Sequence, residues 1–438
     1  MRALTQALRR LIHSQKQGEM FSAIARGAGI SFAIRVLGFG LGYVVQVLLA
    51  RWMGVAEYGT YAYVFAWATF LTIPAGLGLP TAVLRFIPEY KTKGDWARLR
   101  GVIRRSGQLT LFASLGLSSL GTILGLGVFQ GSPYSTPFLF GIWMLPLLAL
   151  SDLQSEMSRA LHRMTLSLGP PMILQRLLMI GGAAALLFAG YSLTSLPVIG
   201  MTMVTFLITL IVQRWLFYES LPRRVHQAVP VYETREWVRV ALPLLIVAGF
   251  QVALHRIDIL MIGALMGPED VGIYNVAART AMFVNFVLMA TNAIAAPMFA
   301  SVYAQKNREG LQRLTSIVAH MSFWPSLASA SFLIVFAQPL LGLFGQEFIA
   351  GRWVMITLVL GQLVSVGAGS VGYLLNMTGH QNQSAVAHAW CVLVNIVLNA
   401  IGIPLWGMMG AALATASTVA LRNIWLYFLV VKNLGVRP

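Results

Sequence analysis

The stretch LLARWMGVAEYGTYAYVFAWATF, residues 48–70, decides the fold because it recurs later in the chain. A shift of 213 positions places MGVAEYGTYAYVFAWATF, from Met53, over MGPEDVGIYNVAARTAMF, from Met266. The identical pairs in these two copies are Met53/Met266, Gly54/Gly267, Gly59/Gly272, Tyr61/Tyr274, Ala68/Ala281 and Phe70/Phe283. The same register continues without a gap as far as Arg100/Arg313. A match of this length across loops as well as apolar runs indicates two homologous halves.

Composition places both halves in a membrane. The 438 residues are 57% hydrophobic and only 10% charged, with a mean hydropathy of +0.73. A soluble domain would carry about a quarter charged residues. The net charge of +17 does not indicate a nucleic-acid partner, because the basic residues form short clusters between apolar runs rather than a continuous stripe. We therefore expect membrane lipids to be the main surroundings of this chain.

The apolar runs predict about twelve transmembrane helices. A bilayer core requires about 20 apolar residues per helix, and lipid cannot satisfy an exposed backbone. The predicted spans are residues 28–50, 60–84, 107–130, 137–157, 172–190, 198–217, 240–266, 273–301, 314–337, 352–375, 385–403 and 407–430. The chain is thus predicted to be an all-α polytopic membrane protein.

The distribution of basic residues predicts the orientation. With the N-terminus in the cytoplasm, 25 of the 31 Lys and Arg fall in cytoplasmic segments, and only Arg51 and Arg352 face the other side. Because cytoplasmic loops carry the excess of positive charge, both termini are predicted to be cytoplasmic, in the cytoplasmic (inner) membrane. Residues 1–20 lack the apolar segment of a signal peptide and are expected to form a basic tail.

The repeat and the even number of spans predict the domains. Residues 1–220 form a first six-helix bundle, residues 221–238 a cytoplasmic linker, and residues 239–438 a second six-helix bundle. Because both copies enter from the same side, they are parallel repeats about an axis along the membrane normal. Two such bundles can rock against each other and expose a central cavity to alternate sides.

The motif of residues 48–70 resembles that of Wzx-type polysaccharide-biosynthesis flippases. These belong to the superfamily that also contains multidrug extruders and lipid II flippases. The resemblance implies a V-shaped fold with a polar central cavity, and the transfer of undecaprenyl-diphosphate-linked oligosaccharide from the cytoplasmic to the outer leaflet. It implies H+ or Na+ as a coupling ion. About twelve spans, rather than fourteen, argue against a lipid II flippase.

The motif itself favours a structural role. Its glycines Gly54, Gly59, Gly267 and Gly272 are expected to permit turn backbone that larger residues resist. Glu57 and Asp270 are expected near a helix start, where a carboxylate meets the positive end of the helix dipole.

Charged residues at span depth are the best candidates for a site, because each is costly unless it faces a cavity or a partner. Span 7 carries His255, Arg256 and Asp258. In one interpretation Arg256 binds a diphosphate or acidic sugar, while Asp258 takes part in ion coupling with His255 on the same helix face. In the other, Arg256 and Asp258 belong to static ion pairs between helices.

Further polar residues extend this candidate site. Arg35 in span 1 and Arg279 in span 8 are expected to contribute to a cationic cavity, since arginine binds phosphate through a planar fork. Asn285 and Asn292 suit sugar hydroxyls, although amides also join helices by hydrogen bonds. The predicted substrate-binding residues are Arg35, Arg256, Arg279, Asn285 and Asn292.

Three other functions are alternatives to an oligosaccharide flippase. A cation-coupled multidrug exporter would need a negatively charged cavity, which the excess of arginines at span depth disfavours. A membrane glycan polymerase would need catalytic acids on a sizeable outer loop, and the predicted outer loops are short. The lipid II flippase is the third. We predict no catalytic residue, cofactor or metal site, and Cys391, the only cysteine, has no partner for a disulfide.

Overall fold

A computed structural model describes residues 29–437, except for nine side chains, at positions 247, 248, 251, 252, 254, 255, 293, 294 and 297. The described chain is helical and contains no strand, as the hydropathy pattern predicts. The basic tail predicted for residues 1–20 lies outside the described residues.

Ten α-helices make up the first half and the connection that follows it. They are α1 (Gly29–Met53), α2 (Val55–Gly76), α3 (Leu79–Lys93), α4 (Trp96–Val128), α5 (Ser135–Gly141), α6 (Leu145–Ala160), α7 (Met164–Gly169), α8 (Gln175–Phe188), α9 (Ser195–Glu219) and the short α10 (Arg223–Gln227). A 3-10 turn, Ile142–Met144, joins α5 to α6, and a π turn, Pro170–Leu174, joins α7 to α8. Each of these pairs therefore acts as one span.

Nine α-helices make up the second half. They are α11 (Thr234–Leu265), α12 (Pro268–Ala281), α13 (Phe283–Ala304), α14 (Arg308–Val335), α15 (Ala337–Gly342), α16 (Arg352–Gly367), α17 (Val371–Met377), α18 (Gln381–Trp406) and α19 (Met408–Leu434). A 3-10 helix, Gln346–Gly351, precedes α16.

The helices agree with the predicted spans. Within residues 29–437, nine helices are long and apolar enough to cross a membrane, and eleven if each of two bent pairs is one span. The bent pairs are α2 with α3, at 46°, and α12 with α13, at 43°. The remaining predicted span coincides with α11, a helix of 32 residues.

The two halves touch on one side of the membrane. We call the face where α1 meets α2 and α11 meets α12 the motif side, and the opposite face the basic side. The largest hydrophobic cluster lies on the motif side and contains residues of both halves. On the basic side the hydrophobic clusters are separate, one built on α3, α4 and the start of α11, and one built on α13, α14 and α19. The halves therefore join on the motif side and, apart from α11, which packs on α3 and α4, part towards the basic side.

The closest contact between the halves is made by equivalent glycines of the repeat. Helix α2 packs on α12, and a Cβ at Gly59 would lie 1.7 Å from the carbonyl oxygen of Pro268 and 2.8 Å from the amide nitrogen of Gly272. A Cβ at Gly272 would lie 2.5 Å from the carbonyl oxygen of Val55. Only hydrogen side chains permit this approach. We call this contact between α2 and α12 the seam.

The seam corrects the sequence interpretation of three motif glycines. Gly54 does adopt a positive φ of 79° at a turn, as expected. Gly59 and Gly272 instead lie inside α2 and α12, and Gly267 has an extended backbone at φ −166°. The sequence shows that these glycines are shared between the copies but not that two of them face each other.

Glu57 and Asp270 lie in the first turns of α2 and α12, close to the predicted helix starts. Glu57 has a further role, because its Oε2 accepts a hydrogen bond of 2.6 Å from the backbone amide of Ser195, the first residue of α9. This carboxylate satisfies an amide that a helix start leaves free and ties α9 to the motif side of α2.

The connection between the halves is docked on the first half. The amide of Val231 donates to the carbonyl of Ala97 at 3.1 Å, and Arg98 Nε donates to Glu233 Oε1 at 2.8 Å. Helix α11 begins at Thr234, inside the predicted linker of residues 221–238. The domain boundaries stay a prediction, and the start of α11 is attached to the first half.

The seam leads to a prediction about glycine replacement. Gly59→Ala would drive a methyl group into the backbone of Pro268, and overpacking of this kind costs about 1–3 kcal/mol. We expect a lower melting temperature for the purified protein, measured by tryptophan fluorescence. Gly107→Ala, on α4 with no atom within 4 Å of the new Cβ, is the matched control and should melt at or above the unmodified protein. Equal melting temperatures for the two variants would contradict the role given to the seam.

Candidate functional site

A chain of hydrogen bonds crosses the seam next to the paired glycines. Tyr58 donates to Gln46 Oε1 at 2.7 Å, and Asn275 Nδ2 donates to Tyr58 Oη at 2.9 Å. Arg279 Nε then donates to Asn275 Oδ1 at 3.3 Å, one helical turn along α12. Gln46 and Tyr58 belong to the first half, Asn275 and Arg279 to the second. We call these four residues the relay.

Three arginines surround the inner end of the relay. Arg279 interacts electrostatically with Arg176 of α8 and with Arg256 of α11. Arg176 lies midway along the helical segment Met164–Phe188, and a Cβ at Gly42 of α1 would lie 3.7 Å from Arg176 Nε. All three side chains are partly buried. We call Arg176, Arg256 and Arg279 the arginine group.

The arginine group has no carboxylate partner among the residues that the structure describes. The ion pairs of the described chain involve Glu89, Asp95, Glu156 and Glu233, all towards the basic side. Like charges in surroundings of reduced dielectric constant repel each other more strongly than in water. A charge at span depth adds about 2.5–3.5 kcal/mol on insertion scales. Such a group is favourable only where water or an anion reaches it.

The basic side is where water can approach the arginine group. Asp152 of α6 lies within a predicted span and has an exposed side chain. One turn further, Glu156 Oε1 accepts from Arg159 at 2.8 Å. Because the hydrophobic clusters of the basic side are separate, we expect a water-accessible space between the halves on this side. We call this space between the halves the lumen.

The structure does not bring all predicted substrate residues together. Arg35 interacts electrostatically with Glu156, not with the arginine group. Asn285 donates to Gln362 Oε1, which joins α13 to α16. Asn292 accepts from the hydroxyl of Ser370. The two amides join helices of the second half, so that of the five predicted residues only Arg256 and Arg279 lie together.

Asp258 occupies a separate polar site inside the second half. Its carboxylate accepts from Thr415 Oγ1 at 2.6 Å, from Tyr274 Oη at 2.9 Å and from Asn399 Nδ2 at 3.1 Å. The donors come from α19, α12 and α18, and Asp258 is only 5% exposed. Four helices thus meet at one carboxylate, which we call the Asp258 site.

The Asp258 site contains an amide oxygen that is left without a donor among the described residues. Asn399 Oδ1 is buried and has no donor among the described residues, and Asn395 Oδ1 accepts only the amide of Asn399, at 3.1 Å. An arrangement of carboxylate, amide and hydroxyl oxygens suits a proton or a hard cation, which prefers oxygen ligands. The side chain of His255, predicted to act with Asp258, lies outside those that the structure describes.

Several residues of the site, among them Arg176 and Asn275, are not predicted from the sequence. The count of basic residues assigns Arg176 to the cytoplasmic segment of residues 159–176. In the structure the π turn carries the helix through Pro170 and Pro171, which places Arg176 midway along the segment Met164–Phe188. Asn275 resembled any helix-capping or packing amide, and only its position between Tyr58 and Arg279 shows its role.

Two halves that join on one side and part on the other, with arginines between them that have no carboxylate partner in the described part of the chain, form the architecture of a membrane transporter. The chain belongs to the polysaccharide biosynthesis protein family, whose model matches residues 24–303. A second model, MatE, matches residues 243–401.

Known proteins support the same class. The chain is 23% identical over 409 residues, 92% of this chain and 82% of the other, to the probable low-salt glycan biosynthesis flippase Agl15 of Haloferax volcanii. It is similar to an inward-facing multidrug resistance MATE family transporter of the MOP superfamily, with a TM-score of 0.74, 13% identity and coverage of 93% and 98% of the two chains. It is also similar to the lipid II flippase MurJ in an inward closed conformation, with a TM-score of 0.71, 15% identity and coverage of 92% and 87%. The predicted fold class and the transporter class are thereby confirmed.

The unpaired arginines lead to a prediction about stability. Arg256→Gln removes one like charge from the arginine group, so we expect the melting temperature of the purified protein to stay equal or to rise. As a control, Arg159→Gln breaks the ion pair with Glu156 and should lower it slightly, since partly exposed pairs contribute about 0.2–1 kcal/mol. If Arg256 were held in a buried ion pair, its replacement would instead cost about 3–5 kcal/mol and lower the melting temperature by several degrees.

Proposed function

We propose that this protein is a flippase that moves undecaprenyl-diphosphate-linked oligosaccharide across the cytoplasmic membrane for the synthesis of a cell-surface polysaccharide. The arginine group at mid-depth, without a carboxylate partner among the described residues, is the observation that carries the proposal. A diphosphate brings the negative charge that this group lacks. Arginine binds phosphate oxygens through two parallel N–H donors.

The orientation follows from charge. The basic side carries most of the Lys and Arg outside the spans, and such segments remain in the cytoplasm. We therefore place the basic side and both termini in the cytoplasm. The lumen then opens to the cytoplasmic leaflet, where a lipid-linked sugar is assembled, and the seam closes the outer side.

Alternating access completes the proposal. The substrate headgroup enters the lumen from the cytoplasmic side while its prenyl chain stays in lipid, and the diphosphate meets Arg176, Arg256 and Arg279. Opening of the seam and closure of the basic side then expose the headgroup to the outer leaflet. The glycines of the seam suit this motion, because at Gly59 and Gly272 no side chain interlocks the two backbones.

The Asp258 site is proposed to hold the coupling ion, a proton or Na+. It lies within the second half and is separate from the arginine group, so an ion there does not neutralise the substrate directly. Helix α12 connects the two, since Tyr274 binds Asp258 and the next residue, Asn275, belongs to the relay.

The charge of the lumen also argues against a cation-coupled multidrug exporter. A cavity for cationic drugs would need a negative lining, whereas the described mid-depth cluster is positive. The family match and the glycan flippase relative support a lipid-linked sugar, and transporters rather than a glycan polymerase are the proteins that this chain resembles. A MOP superfamily transporter from Pyrococcus furiosus, 13% identical with a TM-score of 0.66 over 93% of this chain and 95% of that one, is described as having a binding pocket of reverse polarity that suggests a different function.

The first test reconstitutes the purified protein in liposomes with a fluorescent polyprenyl-diphosphate disaccharide and follows leaflet exchange by dithionite quenching. Arg279→Ala and Arg256→Ala should reduce exchange to the rate of protein-free liposomes, because each removes a phosphate-binding fork. Arg104→Ala, at an exposed position of α4, is the control and should exchange normally. Normal exchange in both lumen variants, at equal protein content, would rule out the arginine group as the substrate site.

The second test concerns the Asp258 site. Asp258→Asn keeps the shape of the side chain and removes its charge, so we expect exchange without a gradient to continue but gradient-driven accumulation in one leaflet to be lost. Separate Na+ and pH gradients identify the ion. Glu347→Gln, at an exposed carboxylate near the motif side, is the control. Accumulation by Asp258→Asn equal to that of the control would show that coupling occurs elsewhere.

A further inference from the structure

Within the relay, Asn275 fixes the orientation of the Arg279 guanidinium. Arg279 donates its Nε proton to Asn275, and its two terminal nitrogens have no hydrogen-bond partner among the described residues. A guanidinium has five N–H donors in one plane. Fixing Nε therefore sets the plane of the group and leaves its terminal donors available for a phosphate.

Asn275 is held in turn from across the seam. Its Nδ2 donates to Tyr58 Oη, and Tyr58 donates to Gln46 Oε1. The directions of these bonds are fixed by one another. Asn275 Oδ1 faces Arg279, so its Nδ2 faces Tyr58, and Tyr58, which accepts from that amide, donates its one proton to Gln46. Gln46, Tyr58 and Asn275 are 4%, 0% and 2% exposed. No described water-facing group competes for these bonds.

The relay therefore depends on which side of the protein is closed. Tyr58 lies beside Gly59, and Asn275 lies one turn from Gly272, so separation of α2 from α12 breaks the bond between Tyr58 and Asn275. Asn275 then loses its only partner from the first half, and its amide is free to rotate away from Arg279. The orientation of the Arg279 fork exists only while the seam is closed.

We propose that Asn275 is a positioning residue, which holds Arg279 ready for the anionic headgroup only while its amide is bonded to Tyr58 across the seam. The inference rests on the proposed function, in which Arg279 binds that headgroup. It assigns high affinity for the anion to the form open on the basic side and low affinity to the form open on the motif side. Loading from one side and release to the other follow from this difference.

Anion binding and closure of the seam are thermodynamically linked, so the proposal can be tested by measuring each of them. If a closed seam raises the affinity for the anion, the anion favours a closed seam by the same factor. A residue that only stabilised the fold would change the melting temperature without connecting these two measurements. Binding and seam opening must therefore be measured on the same variants.

The binding experiment uses farnesyl diphosphate, a soluble prenyl diphosphate, and the purified full chain. We expect Tyr58→Phe and Asn275→Ala each to weaken binding about tenfold, and the double variant to weaken it no more than the stronger single variant, because both break the same chain. Tyr63→Phe is the matched control, as it removes a hydroxyl from a buried tyrosine of the same helix outside the relay. It should bind within about twofold of the unmodified protein.

The opening experiment places Val55→Cys at the seam in a Cys391→Ala background and follows the rate of maleimide labelling. Farnesyl diphosphate should slow labelling when Tyr58 is present and leave it unchanged in the Tyr58→Phe variant. Melting temperatures without the probe identify a variant that is merely unstable, and Asn275→Ala then replaces Tyr58→Phe as the variant compared.

Two outcomes separate the proposals. If Arg279→Ala abolishes binding of the probe but Tyr58→Phe and Asn275→Ala behave like Tyr63→Phe, the positioning role is wrong and the substrate site remains. If Arg279→Ala binds farnesyl diphosphate normally, the proposed substrate site itself is wrong. Equal slowing of labelling by the probe with and without the Tyr58 hydroxyl also overturns the positioning role.

Discussion

The contact between Gly59 and Gly272 is the constraint on which the rest of the structure depends. It brings the backbones of α2 and α12 so close that even one methyl group on either side would collide with a carbonyl oxygen. The contact holds the two halves together on the motif side, where aromatic side chains of α1 and α2, such as Tyr43 and Tyr58, also pack on Phe283, Phe344 and Phe348 of the second half. The hydrophobic clusters are separate on the basic side, so that a closed seam and an open basic side occur together in this structure.

Helix α12 connects the seam to both proposed sites. Gly272 forms the contact, Tyr274 donates to the carboxylate of Asp258, and Asn275 holds Arg279. Residues one position apart on a helix point in directions about 100° apart, so Tyr274 faces the interior of the second half while Asn275 faces the first half. A shift of this one helix would change the surroundings of the proposed ion site and of the proposed anion site together, which is what coupled transport requires.

The sequence predicts the architecture better than the site, and particular residues show why. The repeat register and the asymmetry of basic loops depend on many positions, so the fold does not rest on any single one. Arg256 and Arg279 could be proposed because a charge at span depth is conspicuous. Arg176 could not, since it lies near a predicted span boundary and is counted there with the basic residues of a cytoplasmic segment. Asn285 and Asn292 were chosen as sugar ligands, but an amide gives no sign in the sequence of whether it faces a lumen or a neighbouring helix, and here both join helices. The pairing of Gly59 with Gly272 depends on an axis that no linear pattern shows.

The two copies of the repeat share the glycines of the seam but not the charged residues of the proposed sites. Across the same register of 213 positions, the glycines of the seam match, whereas Arg256, Asp258 and Arg279 correspond to Tyr43, Val45 and Ala66. Matching backbones are needed for two halves to meet about a common axis and to part again. A symmetric pair of ion sites would give both halves the same response to a gradient, whereas an ion site in one half makes the two halves respond differently. The first half has Val45 at the position equivalent to Asp258. This difference is consistent with a symmetric contact between the halves whose opening is driven by an ion bound in the second half.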